Sequence, residues 1–489
     1  MRATLLLLTL GVNALQILAT AVPRTLFDPV CAEIAAEISS ASDVYYPGHL
    51  KYIKGIGHWA SSSTQNSKCV VEPGTAADIS IILGILGDTR TPFAVKGGGH
   101  GTNPGWSSTT GVHISMYRFS AVDYDAPSQT VQVGAGLIWD DVYAALEPYN
   151  VNVVGGRVPG VGVAGFALGG GYSWKTNQYG LTVDTITAFE LVTPVGAILT
   201  VTEASDSELF FGLKGGQNNF GIVTKFTFKT FPQTQVWGGI IIVTEPFFDD
   251  VRDATVNFHA NVLDPKASIL STFNAALAVP IVTLHLFYDG PTPPAGMFDE
   301  FMALTYLSRD VSTRSFLSLV QSAPSQLTSG QRAIFQTVPY LDVTTDLVNT
   351  VINETKFWSL HLTVPTGTFI SYAIEPFLPS IYTHNTQTTA YPGSRTQGYM
   401  PLNIYYAWAL PLSDSLFHNT AKASARVIRD SAISQGQAIA AEAPMYPNYA
   451  IYDTPLEQVY GTANLARLRA LKALVDPLDV MGLAGGFKL

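Results

Sequence analysis

The first stretch that could do chemistry is a glycine run that ends in a histidine. Residues 95–105 read VKGGGHGTNPG, so Lys96, three glycines and His100 follow one another directly. Glycine has no Cβ, and consecutive glycines therefore let backbone N–H groups converge on an anion such as a phosphate. The spacing matches neither a Walker-type GxxxxGK loop nor a Rossmann GxGxxG turn. For this stretch alone, a plain glycine-rich turn and a cofactor loop stay equally open.

A second glycine-rich stretch, residues 155–172, reads GGRVPGVGVAGFALGGGY. It is too apolar for a solvated linker, and its glycines predict neither an ordinary helix nor an ordinary strand. Bare backbone beside Val161, Val163 and Phe166 suits a large flat ligand, whereas an apolar packing loop is the alternative. Two phosphate-binding loops in one domain suggest a dinucleotide bound in an extended form.

Short strands and helices must hold these two stretches in place. PFAVK, GVHISM and TVQVGAGL read as strands, and TAADISIILGILG and DDVYAALEPY read as helices. Beyond Pro232, long apolar strands such as VWGGIIIV and NIYYAWAL alternate with helical stretches, and LEQVYGTANLARLRALKALVDP predicts one amphipathic helix. The predicted fold class is α+β. A first domain covers residues 22–235, a second domain on an antiparallel sheet covers 236–440, and a C-terminal segment covers 441–489.

The composition fits a large buried core and excludes several partners. Of 489 residues, 47% are hydrophobic and 13% are charged, and the formal net charge is −10. Nucleic-acid binding needs clustered Lys and Arg, and no basic run exists, so a nucleic-acid partner is excluded. No stretch after the N-terminus has about 18 consecutive apolar residues, so no membrane span is expected. The histidines lack metal-ligand spacing, and no metal site is predicted.

The N-terminus and the cysteines indicate a secreted protein. Residues 1–21 combine one arginine, a leucine-rich run and the small residues Ala19 and Ala21, which is typical of a cleaved signal peptide. The two cysteines, Cys31 and Cys69, are then expected to form a disulfide, with two buried thiols as the alternative. The triplet at residues 353–355, NET, is an N-glycosylation sequon and predicts a surface loop.

Five ordered motifs resemble the vanillyl-alcohol oxidase superfamily of FAD-linked oxidoreductases, in its berberine-bridge-enzyme-like branch with fungal secreted members. The motifs are KGGGH at 96–100, VGVAGFALGGGY at 161–172, YGLTVD at 179–184, FGIVT at 220–224, and the YG-N-RL-K-DP pattern of 460–477. The resemblance spans nearly the whole mature chain. It implies a two-domain fold with a PCMH-type FAD-binding domain, to which the C-terminal segment returns.

The resemblance also implies an FAD that is covalently tethered. The histidine of the first motif, here His100, is expected to hold the flavin through its 8α-methyl group. Many relatives add a cysteine tether where this chain has Val158, so a single covalent bond is expected. A tether prevents cofactor loss and raises the electron affinity of the flavin. The expected cofactor-binding residues are His100, Lys96, Gly97, Gly98, Gly99, Gly101, Pro159, Gly160, Val161, Gly162, Gly165, Gly169, Gly170, Gly171, Ile222 and Asn464, the last with a helix-surface role as the alternative.

The base for the substrate proton is expected on MYPNYAIYD, which resembles a strand that faces the flavin in the family. Tyr449 is the first candidate, Tyr446 the second and Tyr172 the third, and each could instead be an aromatic wall of the pocket. The pKa of tyrosine is ordinarily about 10, so a tyrosine base near neutral pH needs a cation or hydrogen-bond donors that favour its phenolate.

The resemblance leads to one leading function and two alternatives. Val161 resembles a position that controls oxygen access, and valine there is typical of oxidases. The leading hypothesis is a secreted FAD-dependent oxidase that takes a hydride from an alcohol, sugar or related hydroxyl substrate and reduces O2 to H2O2. The alternatives are a tailoring flavoprotein for oxidative cyclisation or desaturation, and a flavin-binding protein without redox turnover. The sequence determines neither the substrate nor the oligomeric state.

Overall fold

The computed structural model of the chain describes residues 28–439, 441 and 443–489. The predicted signal peptide, residues 1–21, lies outside the described residues. Cys31 and Cys69 are joined in a disulfide, as the sequence predicted, and the bond links the first helix to a strand of the first sheet. Among the described residues, no helix combines the length and the apolar character needed to cross a bilayer.

Two sheets form the part of the chain that carries both glycine stretches. In spatial order, the four-stranded sheet contains Asp43–Tyr45, Cys69–Glu72, Val112–Ser115 and Phe93–Lys96. The five-stranded sheet contains Val122–Asp125, Thr130–Gly134, Ile222–Lys229, Ile186–Val192 and Ile198–Val201. A short ladder pairs Val151–Asn152 with Phe231–Pro232. The first glycine run therefore begins where the strand Phe93–Lys96 leaves the edge of its sheet.

The helices of this part follow the capping signals in the sequence. Thr75 caps the helix Ala76–Asp88 by accepting a hydrogen bond from the Asp78 amide, and Asp206 caps Ser207–Leu213 in the same way through Leu209. The other helices described here are Pro29–Glu37, Leu50–Ile56, Trp139–Leu146, Val163–Leu168, Thr176–Tyr179 and Thr182–Thr185.

A seven-stranded antiparallel sheet dominates residues 236–408, and the α+β prediction is confirmed. Its spatial order is Ser308–Arg314, Val236–Thr244, Val279–Tyr288, Ala267–Ala276, Gly367–Ile374, Met400–Trp408 and Arg332–Tyr340. The helices of this part are Phe248–Asn261, Asp299–Ala303, Phe316–Gln321, Thr345–Thr363 and Asp414–Ser434. Of the two longest helices, Thr345–Thr363 packs against the central strands of the sheet, and Asp414–Ser434 packs chiefly against the edge strand Arg332–Tyr340 and its neighbour Met400–Trp408. The domain boundaries at residues 235 and 440 stay predictions.

Three local predictions are wrong. The C-terminal helix is interrupted at Gly461, whose φ of 72° is left-handed, so Leu456–Tyr460 and Thr462–Val475 are separate helices. The second glycine stretch contains the short helix Val163–Leu168. The sequon lies inside the helix Thr345–Thr363 rather than in a loop, because its hydrophobic periodicity continues through the triplet.

Candidate active site

A cavity of about 570 Å³ lies between the glycine stretches and the seven-stranded sheet. The first glycine run, the second glycine stretch, the strands of the sheet and the segment 446–449 all contribute to its walls. A volume of this size is typical of a small-molecule or cofactor site. The cavity is therefore the place where the predicted chemistry would occur.

The two glycine stretches touch each other at the cavity wall. A Cβ on Gly98 would lie 2.5 Å from the Cα of Gly162, and a Cβ on Gly162 would lie 2.5 Å from the Gly98 nitrogen. The amide of Trp139 donates to the Val161 carbonyl at 3.0 Å, which fixes the second stretch in this position. Because any side chain would push the two backbones apart, Gly98 and Gly162 are both needed for this close approach.

His100 borders the same cavity, directly beyond the first glycine run. Its ring stacks on Trp59 with centroids 4.5 Å apart and planes 11° from parallel. Burial lowers the pKa of His100 to about 4, so the imidazole is neutral at neutral pH. Its Nε2 is buried and has no hydrogen-bond partner in the described chain. Buried polar atoms are normally paired, so this nitrogen is an exception whose hydrogen-bonding capacity the described chain does not use.

The polar centre of the cavity joins three distant segments of the chain. Arg157 Nη2 lies 2.6 Å from Glu375 Oε2, and both side chains are buried. The same Nη2 donates to Tyr449 Oη at 2.9 Å, and Tyr449 Oη donates to Glu375 Oε1 at 3.1 Å. All three residues line the cavity. Each group is therefore hydrogen-bonded to the other two.

The pKa shifts at this centre do not favour the phenolate form that a tyrosine base would need. Burial raises the pKa of Tyr449 well above its ordinary value, and the Glu375 carboxylate raises it further, although Arg157 acts in the opposite direction. Burial also raises the pKa of Glu375, against the lowering effect of Arg157. The required cation is present, but Tyr449 is held as a neutral phenol. The group that can accept a proton here is the Glu375 carboxylate.

Neither Arg157 nor Glu375 was among the residues predicted from the sequence. Arg157 sits inside the second glycine stretch, one residue before Val158. Glu375 directly follows the apolar strand Gly367–Ile374 and precedes a proline, where a charged residue is unexpected. A charged residue at the end of an apolar strand is the signal by which the sequence could have indicated Glu375. The sequence could not indicate its partner, because Arg157 is 218 residues away.

The segment that carries Tyr446 and Tyr449 is a turn, so the predicted strand is wrong. The amides of Tyr449 and Ala450 both donate to the Tyr446 carbonyl, at 3.0 and 2.9 Å. The turn nevertheless brings both tyrosines to the cavity. The phenol of Tyr446 accepts a hydrogen bond from Asn448 Nδ2 at 2.9 Å, and burial raises its pKa above the ordinary value.

Tyr172, the third candidate base, is not brought to the cavity. Its hydroxyl lies 2.6 Å from that of Tyr382 and 3.2 Å from that of Tyr391, in a cluster of buried tyrosines. Burial raises the pKa of Tyr172 well above its ordinary value. The structure therefore gives Tyr172 a packing position, because its phenol faces other phenols rather than open space.

Of the predicted cofactor-binding residues, one group lines the cavity: Gly97, Gly98, Gly99, His100, Gly101, Val161, Gly162, Gly165 and Ile222. The structure brings these residues together from three separate motifs. Their contact with a cofactor stays a prediction, but the motifs do converge on a single cavity.

Two polar residues of the prediction turn away from the cavity. The Lys96 amine donates to the Gly57 carbonyl at 2.7 Å and to the Tyr117 hydroxyl at 2.8 Å, and burial lowers its pKa to about 7. The Asn464 amide donates to the Thr389 carbonyl at 2.8 Å and to the Ala390 carbonyl at 3.1 Å. Both side chains therefore hold neighbouring backbone in place, and neither lines the cavity.

The remaining predicted positions, Pro159, Gly160, Gly169, Gly170 and Gly171, do not line the cavity either. The amide of Gly160 donates to Asp140 Oδ2 at 2.8 Å and is not free for a phosphate. A Cβ on Gly169 would lie 2.1 Å from Asn448 Oδ1. Gly169 thus makes room for the turn that carries Tyr446 and Tyr449.

The chemistry of the cavity fits an FAD molecule. Bare backbone at the junction of the two glycine stretches suits the pyrophosphate, and the unpartnered Nε2 of His100 marks a place for the flavin ring. Among the described residues, no cluster of His, Cys, Asp or Glu could hold a metal ion. Fold and site together fit a dinucleotide-binding protein in which the seven-stranded sheet forms the second wall of the cavity.

Comparison with known proteins agrees with this class. Residues 67–202 match the FAD binding domain family. The FAD-dependent monooxygenase drtC of Aspergillus calidoustus is 29% identical over 483 residues, which cover 94% of this chain and 90% of that protein.

Two solved structures show the same fold. A variant of BBE-like 1 from Physcomitrella patens superposes with a TM-score of 0.77 at 21% identity, over 92% of this chain and 97% of that one. Glucooligosaccharide oxidase from Acremonium strictum gives a TM-score of 0.74 at 18% identity, over 93% and 98%. The chain is thus an FAD-linked oxidoreductase with the two-domain fold of the berberine-bridge-enzyme-like proteins.

Proposed function

We propose that the protein is a secreted FAD-dependent oxidase that removes a hydride from a hydroxyl-bearing carbon and reduces O2 to H2O2. The observation that carries this proposal is the hydrogen-bonded group of Arg157, Glu375 and Tyr449, which borders the same cavity as His100. Oxidation of an alcohol needs a proton acceptor next to a hydride acceptor, and this group supplies the first. FAD, when bound, supplies the second.

The proton moves through two side chains in the proposed reaction. The substrate hydroxyl gives its proton to Tyr449 Oη, and Tyr449 passes its own proton to Glu375 Oε1 over the observed hydrogen bond of 3.1 Å. Arg157 donates to Tyr449 and stays paired with Glu375, so it stabilises negative charge on either oxygen during the transfer. The carbonyl product has lost one hydride and one proton, which balances the two-electron oxidation.

The pH dependence follows from Glu375. The carboxyl must be ionised to accept the proton, and its pKa is raised by burial. The rate of flavin reduction should therefore increase with pH through an inflection above the ordinary glutamate value of about 4.3. Glu375→Gln should remove that inflection.

Anaerobic mixing with a panel of alcohols and sugars tests the proposal. We expect a substrate to bleach the flavin absorbance and, after O2 is admitted, to yield stoichiometric H2O2. Tyr449→Phe should slow bleaching about 10²–10⁴-fold, the usual contribution of general acid–base catalysis. Tyr452→Phe changes an exposed tyrosine of the same segment and should leave the rate unchanged. Equal rates in Tyr449→Phe and the parent protein would refute the proton path.

A second candidate function comes from the relatives. The Aspergillus calidoustus protein is named an FAD-dependent monooxygenase, which favours transfer of one oxygen atom of O2 to the substrate. That reaction needs two further electrons from an added reductant, and it releases water instead of H2O2. Isotopically labelled O2 separates the two functions, because the label enters the organic product of a monooxygenase only.

The proposals of secretion and of a single tether have separate support. The Cys31–Cys69 disulfide suits an oxidising compartment, and the signal peptide at residues 1–21 would direct the chain there. Glucooligosaccharide oxidase from Acremonium strictum carries a 6-S-cysteinyl, 8α-N1-histidyl FAD. This chain has a cavity-lining histidine and has Val158 where a second tether would be expected. The N-terminal sequence of protein recovered from culture medium tests the cleavage.

A further inference from the structure

The wall of the cavity opposite the glycine stretches is one face of the seven-stranded sheet, and its side chains form cross-strand rows. The first row contains His285 and Leu270. It lies at the same level as Glu375, which directly follows the strand Gly367–Ile374. The second row contains Thr283, Thr272, Ala373 and Asn403. The third row contains Ile281, Asn274, Ser371 and Tyr405. Neighbours in a row are about 5 Å apart, and rows follow at about 7 Å.

Four side chains on this face have polar atoms without a partner. In the described part of the chain, both ring nitrogens of His285, Oδ1 of Asn274, Nδ2 of Asn403 and Oη of Tyr405 are buried and make no hydrogen bond. The asparagines are only 3% and 7% exposed, and all four residues line the cavity. Unpaired buried polar atoms destabilise a protein. Their position at a cavity wall indicates that a ligand supplies the partners.

The chemistry of the missing partner can be read from these atoms. Asn403 offers a donor and Asn274 an acceptor. Burial lowers the pKa of His285 to about 4, so its neutral ring offers one donor and one acceptor whichever nitrogen carries the proton. Hydroxyl groups are the common substituents that both donate and accept, so they match all three positions.

We propose that His285, Asn403 and Asn274 bind hydroxyl groups of the substrate other than the one that is oxidised. His285 lies at the level of Glu375, and Asn403 and Asn274 lie on the next two rows, so the bound hydroxyls extend up to about 14 Å from that level. That reach exceeds one six-membered ring, and the substrate is a polyhydroxylated compound of at least two rings. The proposal rests on the proposed function for the position of the reacting hydroxyl. Saccharides and polyhydroxylated aromatic compounds share this chemistry.

Calorimetric binding to the flavin-loaded protein tests the proposal without requiring turnover. The probes are cellobiose, catechin and benzyl alcohol, which represent a saccharide, a polyhydroxylated aromatic compound and a compound with one hydroxyl. We expect cellobiose or catechin to bind at least tenfold more tightly than benzyl alcohol. Asn403→Leu and, separately, His285→Phe should weaken that tighter probe about tenfold and leave benzyl alcohol unchanged. Asn261→Leu, on an exposed helix end, is the control and should bind all probes normally.

The outcomes separate the subsite from the reaction. Tighter binding of benzyl alcohol than of both other probes would overturn the proposal, and so would an equal loss for every probe in Asn403→Leu. His285→Phe provides an independent variant on another strand, and retained flavin absorbance reports correct folding. If a polyhydroxylated probe binds as expected but never bleaches the flavin, the proposed oxidase function fails while the binding subsite stands. Whether cellobiose or catechin binds more tightly identifies the source of the hydroxyls.

Discussion

At the scale of single residues, the site depends on polar atoms that the protein itself leaves unpaired. His100 has a neutral ring, a buried Nε2 without a partner and a stacked neighbour in Trp59. A side chain that is fixed in orientation and not protonated is a better nucleophile than a mobile imidazolium ion. These properties are the ones that the proposed tether requires of His100.

Replacement of this histidine gives a direct prediction. His100→Ala should release all of the flavin on acid denaturation, whereas the parent protein should keep it on the polypeptide, because the substitution removes the only expected covalent attachment. Gel filtration in denaturant with detection of flavin absorbance measures the result. His361→Ala, which changes an exposed histidine on the helix Thr345–Thr363, should retain the flavin. Flavin that stays bound to denatured His100→Ala would place the tether on another residue.

Glu375 is a cavity residue that the resemblance to the family motifs did not indicate. The motif comparison led to Tyr449, and the structure does place Tyr449 at the cavity. The acid–base character of the tyrosine, however, depends on Glu375 and Arg157, which come from other segments. Because burial and charge decide a pKa, the tyrosine could not be assigned as a phenolate from its neighbours in sequence.

At the scale of elements, the contact between the two glycine stretches is the feature that shapes the cofactor end of the cavity. The contact needs the absence of side chains at Gly98 and Gly162, since backbone atoms lie where each Cβ would be. Backbone cannot move aside as easily as the end of a flexible side chain. The glycines are therefore required by geometry as well as by any phosphate that binds to them.

A pair of glycine substitutions tests this geometry. Gly98→Ala should lower the free energy of unfolding by about 1–3 kcal/mol and should reduce the flavin content, because the new methyl group overlaps Gly162. Gly84→Ala is the matched control, since nothing lies within 4 Å of its Cβ position in the helix Ala76–Asp88. It should gain about 0.5–1 kcal/mol from helix propensity. Chemical denaturation and the flavin-to-protein absorbance ratio measure both variants, and full flavin content in Gly98→Ala would contradict the argument.

At the scale of the whole molecule, the ion pair between Arg157 and Glu375 connects the second glycine stretch to the sheet. The two residues are 218 positions apart in the sequence, and Tyr449 adds a third segment. Burying both charges costs desolvation energy that their mutual attraction only partly offsets. The pair is therefore better explained by its role at the cavity than by net stabilisation of the fold.

A double-mutant cycle on this pair tests that explanation. Arg157→Met leaves the Glu375 carboxylate buried without its cation and should reduce the free energy of unfolding by about 3–5 kcal/mol. The double variant Arg157→Met/Glu375→Gln should recover much of that loss, because no uncompensated charge remains. Urea denaturation of the four proteins measures the coupling energy. Additive losses in the double variant would show that the two side chains do not stabilise each other.

The sequence by itself determined the features that depend on neighbours along the chain. The strands before and after Pro232 and the glycine stretches were predictable, because hydrophobic period and glycine content are local properties. The disulfide was predicted from two cysteines in a chain for which the sequence also predicts a signal peptide, and the structure contains it. The motifs then indicated FAD, and the family comparison agrees.

Only the tertiary structure decided which side chains meet at the cavity. In the folded chain, Lys96 and Asn464 donate hydrogen bonds to backbone carbonyls. Tyr172 lies in a cluster of tyrosines, and Glu375 lies beside Tyr449. These outcomes depend on the packing of segments that are tens to hundreds of residues apart, and side-chain direction in such packing is not encoded in a local motif. Desolvation and pairing of charge, which set the chemistry of the site, exist only after those segments have come together.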